Sequence, residues 1–227
     1  MNQQQFLKRS LFFIFSLIIF ISCSSSEDVN KEDVDDTLLP IPSTNYDTTP
    51  ILIFFDNIEA VSYSVSGNTV TFTTTDLPNH TSPYWNSSHP LYEAYNGTNS
   101  NWNKNPNSIG EQNITFTMPL NPSESLTKTA TPLGPIGIAR NGVVFFNQYA
   151  GRNNQPLTNE INSFDQWLGH PAGTQYHYHI EPSFLTNNFG KNAFLGLLSD
   201  GFPVYGPLEN GATITNADLD DYHGHVS

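Results

Sequence analysis

Short runs in which β-branched and aromatic residues alternate with small polar ones recur along the chain, the period-two pattern of half-buried strands. Such runs cover residues 51–55, 60–65, 69–74 and 113–118. Ser66-Gly67-Asn68, between the second and third, reads as a hairpin turn, because Gly and Asn tolerate positive φ. Residues 78–107 break the pattern with four prolines, many asparagines and the scattered aromatics Tyr84, Trp85, Tyr92, Tyr95 and Trp102. This is a long irregular loop with two readings: a surface excursion whose aromatics tuck down, or an exposed aromatic platform for glycan contact. His80 and His89 lie within it and read as surface residues unless the loop folds over a site. No segment shows a sustained helical period. The expectation is a mostly β fold: a single β-rich domain, sandwich or barrel-like, with long polar loops and little helix.

The later half carries an internal repeat. Ile136-Gly-Ile-Ala-Arg-Asn-Gly-Val-Val-Phe-Phe-Asn147 aligns without gaps on Leu195-Gly-Leu-Leu-Ser-Asp-Gly-Phe-Pro-Val-Tyr-Gly206. Each copy centres on Asn141-Gly142 or Asp200-Gly201, pairs suited to a tight type I′ hairpin. Pro203 removes a ladder donor, which predicts an edge or irregular position. Further on, Asp165-Gln-Trp-Leu-Gly-His170 aligns with Asp220-Asp-Tyr-His-Gly-His225. The unit is therefore a hairpin, a connection, then Asp-x-aromatic-x-Gly-His.

In the first copy that turn leads through Pro171-Ala-Gly-Thr-Gln175 into Tyr176-His177-Tyr178-His179. On a strand His177 and His179 share one face and Tyr176 and Tyr178 the other. His170 can fold back over the two histidines, while the tyrosines face the core with their hydroxyls on polar partners. In the second copy His223 and His225 precede only Val226 and Ser227, so the corresponding half is expected to be incomplete, in a fragment or a short form. Five imidazoles, His170, His177, His179, His223 and His225, with Asp200 as the last candidate, suit Zn²⁺ or Cu²⁺, imidazole being a borderline ligand. Asp165 and Asp220 can accept from imidazole N–H groups or simply cap their turns. Trp167 and Tyr222, equivalent in the repeat, read as packing residues. No organic cofactor is indicated.

Composition places this domain. Net charge is −13 and the isoelectric point is near 4.6. Beyond residue 48 only Lys104, Lys128, Arg140, Arg152 and Lys191 are basic, which argues against nucleic acid as a partner. Residues 1–22 form a leader, with Lys8 and Arg9 ahead of an apolar run. The only cysteine, Cys23, follows at once. It cannot form an internal disulfide. The arrangement resembles a bacterial lipoprotein signal, which implies lipidation at Cys23 and an outer-membrane anchor; an uncleaved anchor before an unmodified cysteine is the alternative. Residues 23–48 form an acidic tether, with Glu27, Asp28, Glu32, Asp33, Asp35 and Asp36, too polar to fold. That tether resembles the surface-export signal of Bacteroidetes lipoproteins, implying an extracytoplasmic and surface-exposed protein. Asp36-Thr37-Leu38 and Asp47-Thr48-Thr49 are similar to that phylum's O-glycosylation pattern. Residues 49–227 are enough for one core.

Gly169-His170-Pro171, Tyr176-His177-Tyr178-His179, the run Asp200-Gly-Phe-Pro-Val-Tyr-Gly-Pro207, and Leu219-Asp220 with Gly224-His225 together resemble the YHYH domain family over residues 136–225. The resemblance implies a domain type and no settled reaction. Three function classes follow from the residues: a surface or periplasm-facing lipoprotein that binds Cu or Zn, a metal-dependent hydrolase or oxidase, and a surface module for glycan or protein partners. No nucleophile elbow, HExxH or paired catalytic carboxylate picks a reaction.

Overall fold

A computed structural model describes residues 46–151 and 154–225. The leader, Cys23 and nearly all of the acidic tether lie outside the described residues. Thr48, assigned to the tether by composition, is buried, and its N–H and hydroxyl both donate to the Leu120 carbonyl at 2.8 and 2.9 Å.

Three of the four predicted runs are strands within one residue of their expected bounds: β1 (Val61–Ser66), β2 (Thr69–Thr74) and β3 (Ile114–Pro119). They form an antiparallel sheet in the order β1-β2-β3. The fourth run is not a strand. Thr49–Phe55 is a 3₁₀-helix entered through Pro50, and it buries Leu52 and Phe55, three apart. That spacing is the eclipsed period of a 3₁₀ turn, and proline at the first turn loses no bond there. Apolar content alone could not separate the two.

The second sheet has six strands in the order β6-β7-β5-β4-β8-β9. These are β4 (Gly137–Ala139), β5 (Val144–Phe145), β6 (Gly169–Ala172), β7 (Gln175–Tyr178), β8 (Phe194–Leu198) and β9 (Pro203–Tyr205). A short ribbon of β10 (Leu208–Glu209) and β11 (Ala212–Thr213) follows, and a short α-helix, α1 (Ser183–Phe189), links β7 to β8. The six-stranded sheet is open rather than closed into a barrel. Its inner residues Ile138, Val144, Phe194 and Leu197 pack with Phe72, Met118, Leu52 and Phe55. Ala139, Val143, Phe145, Tyr176, Tyr178 and Leu195 pack on its opposite face against Tyr84, Trp85, Ile109 and Leu185. The irregular loop 78–107 thus lays Tyr84 and Trp85 down as a lid on that face. Tyr95 and Trp102 stack on each other at 4.3 Å, and Tyr92 stays exposed.

The repeat is present in the backbone. β4 and β8 pair antiparallel with Ile138 opposite Leu197, residues that are equivalent in the two copies. A local twofold therefore passes through that pair, relating β5-β4 to β9-β8. Both hairpins close identically: Ala139 N–H donates to Val143 O and Gly142 N–H to Ala139 O, as Leu198 N–H does to Phe202 O and Gly201 N–H to Leu198 O. Only the glycine of each turn has positive φ, 90° at Gly142 and 91° at Gly201. These are three-residue loops ending in a left-handed glycine, not the two-residue type I′ turns expected from Asn-Gly and Asp-Gly. β9, which contains Pro203, is the edge strand, as its missing donor requires. A side chain at Gly142 would meet Val61 Cγ2 at 2.8 Å, whereas at Gly201 it would meet the Pro119 carbonyl oxygen at 2.5 Å. Gly142→Ala and Gly201→Ala should each cost about 1–3 kcal/mol. The second should be the worse, since backbone yields less than a valine rotamer; urea midpoints at constant m-value check the order.

Candidate functional site

Strand pairing assembles the site. β6 and β7 pair antiparallel with His170 directly opposite His177, and His179 lies two residues further along the same face. Directly opposed side chains on one face are in contact, so three imidazoles converge. One ring nitrogen from each of His170, His177 and His179 lies within 4.8 Å of the others. His170 and His177 are buried, and His179 is half-buried. Phe146 stacks on His177 at 3.8 Å, while Phe164 meets His170 edge-on at 4.7 Å.

Hydrogen bonds fix which nitrogen of His177 and of His179 is bare. His177 Nδ1–H donates to the Gln175 carbonyl at 3.1 Å, and His179 Nδ1–H donates to the Asn147 carbonyl at 2.5 Å. A carbonyl only accepts, so both protons sit on Nδ1. At His170 the neighbour is the Ser163 hydroxyl, 2.7 Å from Nδ1. The Ser163 hydroxyl donates to the Glu160 carbonyl at 2.8 Å, and the Asn105 Nδ2 amide, which can only donate, lies 3.4 Å from the same His170 Nδ1. His177 and His179 therefore present an unprotonated Nε2. Burial first, then the His170 and His179 rings, push His177 well below its usual pKa, and burial also lowers His179. Two neutral rings thus face each other with their Nε2 atoms 3.0 Å apart, lone pair against lone pair. His170 Nε2 is buried with no hydrogen-bond partner.

Above the histidines sits the 3₁₀-helix Glu160–Ser163. Its Glu160 Oε1 lies 3.3 Å from His170 Nε2. The loop 78–107 clamps this helix. Tyr84 OH donates to Ser163 O at 2.5 Å, Asn103 N–H donates to Asn162 O at 2.8 Å, and Asn99 Nδ2 donates to Asn162 Oδ1 at 3.2 Å. Neither Glu160 nor Ser163 was indicated by the sequence, where both lie in an aperiodic stretch. A polar pair three residues apart just before the Asp-x-aromatic-x-Gly-His turn was the only available signal.

The tyrosines face the other way, as the parity of β7 requires, and both are fully buried. Tyr176 OH donates to Asp165 Oδ2 at 2.8 Å. Tyr178 OH lies 3.0 Å from His80 Nε2 and accepts from Asn141 Nδ2 at 3.2 Å. His80 is not a surface residue: it is 3% exposed, because the loop does fold over this face. Burial lowers it to about 4. Its Nδ1–H points to the Thr81 carbonyl at 3.0 Å, so Nε2 accepts the Tyr178 proton. His89 stacks on Trp85 at 4.0 Å. A Cβ at Gly169 would lie 2.6 Å from Tyr176 Cζ, which explains the glycine before His170: the Tyr176 ring crosses that position.

Asp165 caps its turn and anchors Tyr176 rather than accepting from an imidazole. Its Oδ1 takes Trp167 N–H at 2.8 Å and Gly169 N–H at 3.4 Å, and its Oδ2 also takes Ser82 Oγ–H at 2.6 Å. Asp220 caps the equivalent turn through Tyr222 N–H and Gly224 N–H at 2.8 and 2.9 Å, and it is exposed. The remaining candidates are not brought to the three histidines. His223 is exposed at φ 61°, and His225 lies near Glu209 with Nδ1 to Oε2 at 3.8 Å. Asp200 Oδ1 accepts from Phe202 N–H within its own turn. Trp167 packs edge-on against Phe184, whereas Tyr222 is exposed with Lys128 over its ring.

Burial holds the Asp165 carboxyl at about 6, against 3.8 for an unperturbed aspartate. The folded state then binds this proton more tightly than the unfolded chain does. Its contribution to stability is fully present below the unfolded value and is lost as pH rises through 6. Asp165→Asn cannot titrate, so the stability of wild type relative to this variant should fall by roughly 3 kcal/mol between pH 3.5 and 7.5. Paired denaturation curves across that range measure it. A difference that stays flat would mean that the four donors hold the carboxyl at its ordinary value.

Residues 115–227 match the family model described as YHYH protein, a span that begins in β3, upstream of the motif region. No curated protein and no solved structure matches the chain.

Proposed function

Since the chain carries the YHYH family's domain over residues 115–227, we propose that the domain binds a single transition-metal ion, Zn²⁺ or Cu²⁺, through Nε2 of His170, His177 and His179. The observation that carries this reading is the pair of bare Nε2 atoms of His177 and His179, 3.0 Å apart with both Nδ1 protons committed to carbonyls. Two facing lone pairs repel unless a cation lies between them. Nitrogens bound to one metal at about 2.0–2.1 Å stand about 2.9 Å apart at a right angle and about 3.4 Å at the tetrahedral angle, which brackets the spacing here. The backbone carbonyls that orient His177 and His179, and the hydroxyl that orients His170, are the outer partners that metal-ligating imidazoles ordinarily have.

Capture or buffering of the ion is favoured over catalysis. A cavity of about 320 Å³ beside Phe164 is lined by Tyr95, Thr98, Ile161, Gln166 and Leu168 but by none of the three histidines. Ser163, His170 and Glu160 do not form a hydrolytic triad, because the Ser163 proton is already given to a carbonyl. Glycan binding through the loop aromatics is weakened by the burial of Tyr84 and Trp85 and the mutual stacking of Tyr95 and Trp102, with Tyr92 left exposed. The domain is held outside the cytoplasm by lipid on Cys23, at the outer membrane.

Metal-freed protein should melt higher by about 5–10 °C in Zn²⁺ or Cu²⁺ at a hundredfold excess over Kd. His177→Ala and His179→Ala should lose that shift, and His223→Ala should keep it. Unchanged melting of wild type with both ions, leaving a shared proton as the bridge between His177 and His179, would sink the reading. Separately, Cys23→Ala should move the protein from the membrane fraction to the soluble extracytoplasmic fraction and abolish labelling by a fatty-acid probe.

A further inference from the structure

Resting on the three-histidine reading, we infer that Glu160 supplies a fourth, anionic ligand and makes the centre selective for divalent over monovalent ions. Its Oε1 stands 3.3 Å from His170 Nε2, yet that nitrogen has no hydrogen-bond partner. The carboxylate is therefore at ion-pair distance but lies off the axis of the His170 lone pair. A proton on Nε2 would leave the contact poorly aligned. A common ion beside both atoms satisfies each along its own direction, since neighbouring ligands of one metal stand roughly 2.9–3.4 Å apart; Glu160 lies outside the 4.8 Å group of the three histidine nitrogens, so its carboxylate closes on that ion by a change of side-chain rotamer.

The local chain fixes the backbone from which this carboxylate projects. Glu160 and Ser163 open and close one 3₁₀ turn, so the turn that delivers the carboxylate also delivers the hydroxyl that lies 2.7 Å from His170 Nδ1. Tyr84, Asn99 and Asn103 bond the end of that turn to the long loop. Glu160 remains partly exposed, its side chain at 26%, on the solvent side of buried His170 at 3%. An ion arriving from solvent meets the carboxylate before the buried imidazole.

Charge then sets the selectivity. Three neutral imidazoles leave a buried divalent ion with its whole charge uncompensated, a costly state. One carboxylate attracts a divalent ion twice as strongly as a monovalent one at the same distance. Removing it should therefore cost the divalent ion twice the free energy, or the square of the fold-change in affinity. Carboxylate oxygen is also a poorer match for soft monovalent ions than imidazole nitrogen is.

The test is calorimetric titration of the purified, metal-free chain with Zn²⁺ and, separately, with Ag⁺, for wild type, Glu160→Gln and Glu160→Ala. Both variants should weaken Zn²⁺ binding by about 100-fold and Ag⁺ binding by no more than about tenfold. Using two variants keeps the comparison available if one of them fails to fold, as judged by melting in chelator. Unchanged Zn²⁺ affinity, or equal losses for the two ions, overturns the role of Glu160 and leaves the three-histidine site standing. Failure of wild type to bind either ion overturns the reading beneath it.

Discussion

The structure depends on the way β7 is gripped from behind. A strand with histidines on one face and tyrosines on the other could rotate about its axis or slip by one residue, and either change would send the imidazoles into the core. The Tyr176 hydroxyl on Asp165 and the Tyr178 hydroxyl on His80 and Asn141 prevent this, because each is a buried polar bond that a slipped register would leave unmade. An unpaired buried donor or acceptor costs about 1–3 kcal/mol. With several such groups at stake, the register is held by more than the short β5–β7 and β6–β7 ladders could supply. The tyrosines fix the face on which the histidines appear.

That grip reaches the site by way of the long loop. The same segment that buries His80 against Tyr178 buries Tyr84, and the Tyr84 hydroxyl ends on the carbonyl of Ser163. A displacement of the loop would free the 3₁₀ turn that carries Glu160 and Ser163. The loop's prolines and asparagines suit this role. They give an irregular path with many amide donors, and Asn99 and Asn105 use theirs on Asn162 and on the Pro171 carbonyl of β6. A regular strand or helix would present fewer side-chain donors at these uneven spacings.

Much of this was legible in the sequence where a local rule decides the geometry. The parity of Tyr176 to His179 follows from alternation alone, and the return of His170 over His177 follows from a short turn between them. The hairpin repeat and the turn aspartates were visible as aligned residues, although the loop type was not, since Asn141-Gly142 fits two turn classes and only neighbouring bonds choose between them. Legibility fails where tertiary contact decides. Leu52 and Phe55 suit a strand by composition and a 3₁₀ turn by spacing, and packing on Phe72 selects the latter. His80 reads as polar loop until the loop is seen to fold back. Glu160 and Ser163 lie in a stretch without period, so nothing short of the fold shows what they face.

The two copies of the Asp-x-aromatic-x-Gly-His turn separate what the turn does from what surrounds it. Their backbones close alike: Asp165 N–H donates to Gly169 O and Asp220 N–H to Gly224 O, with Leu168 and His223 both in the left-handed region. In each, one aspartate oxygen takes the amide protons two and four residues further on. Asp165 has its second oxygen filled by Ser82 and Tyr176 and is buried, whereas Asp220 is exposed. The turn by itself therefore positions a histidine and buries nothing. His170 becomes part of a cluster because its strand continues into a pairing with β7, whose own histidines fall opposite and adjacent to it. In the second copy, where no strand among the described residues faces the turn, His225 lies beside Glu209 at the surface. The histidine centre is thus a product of the β6–β7 pairing acting on an ordinary turn, and the tyrosines that hold β7 in register are as much a part of it as the imidazoles.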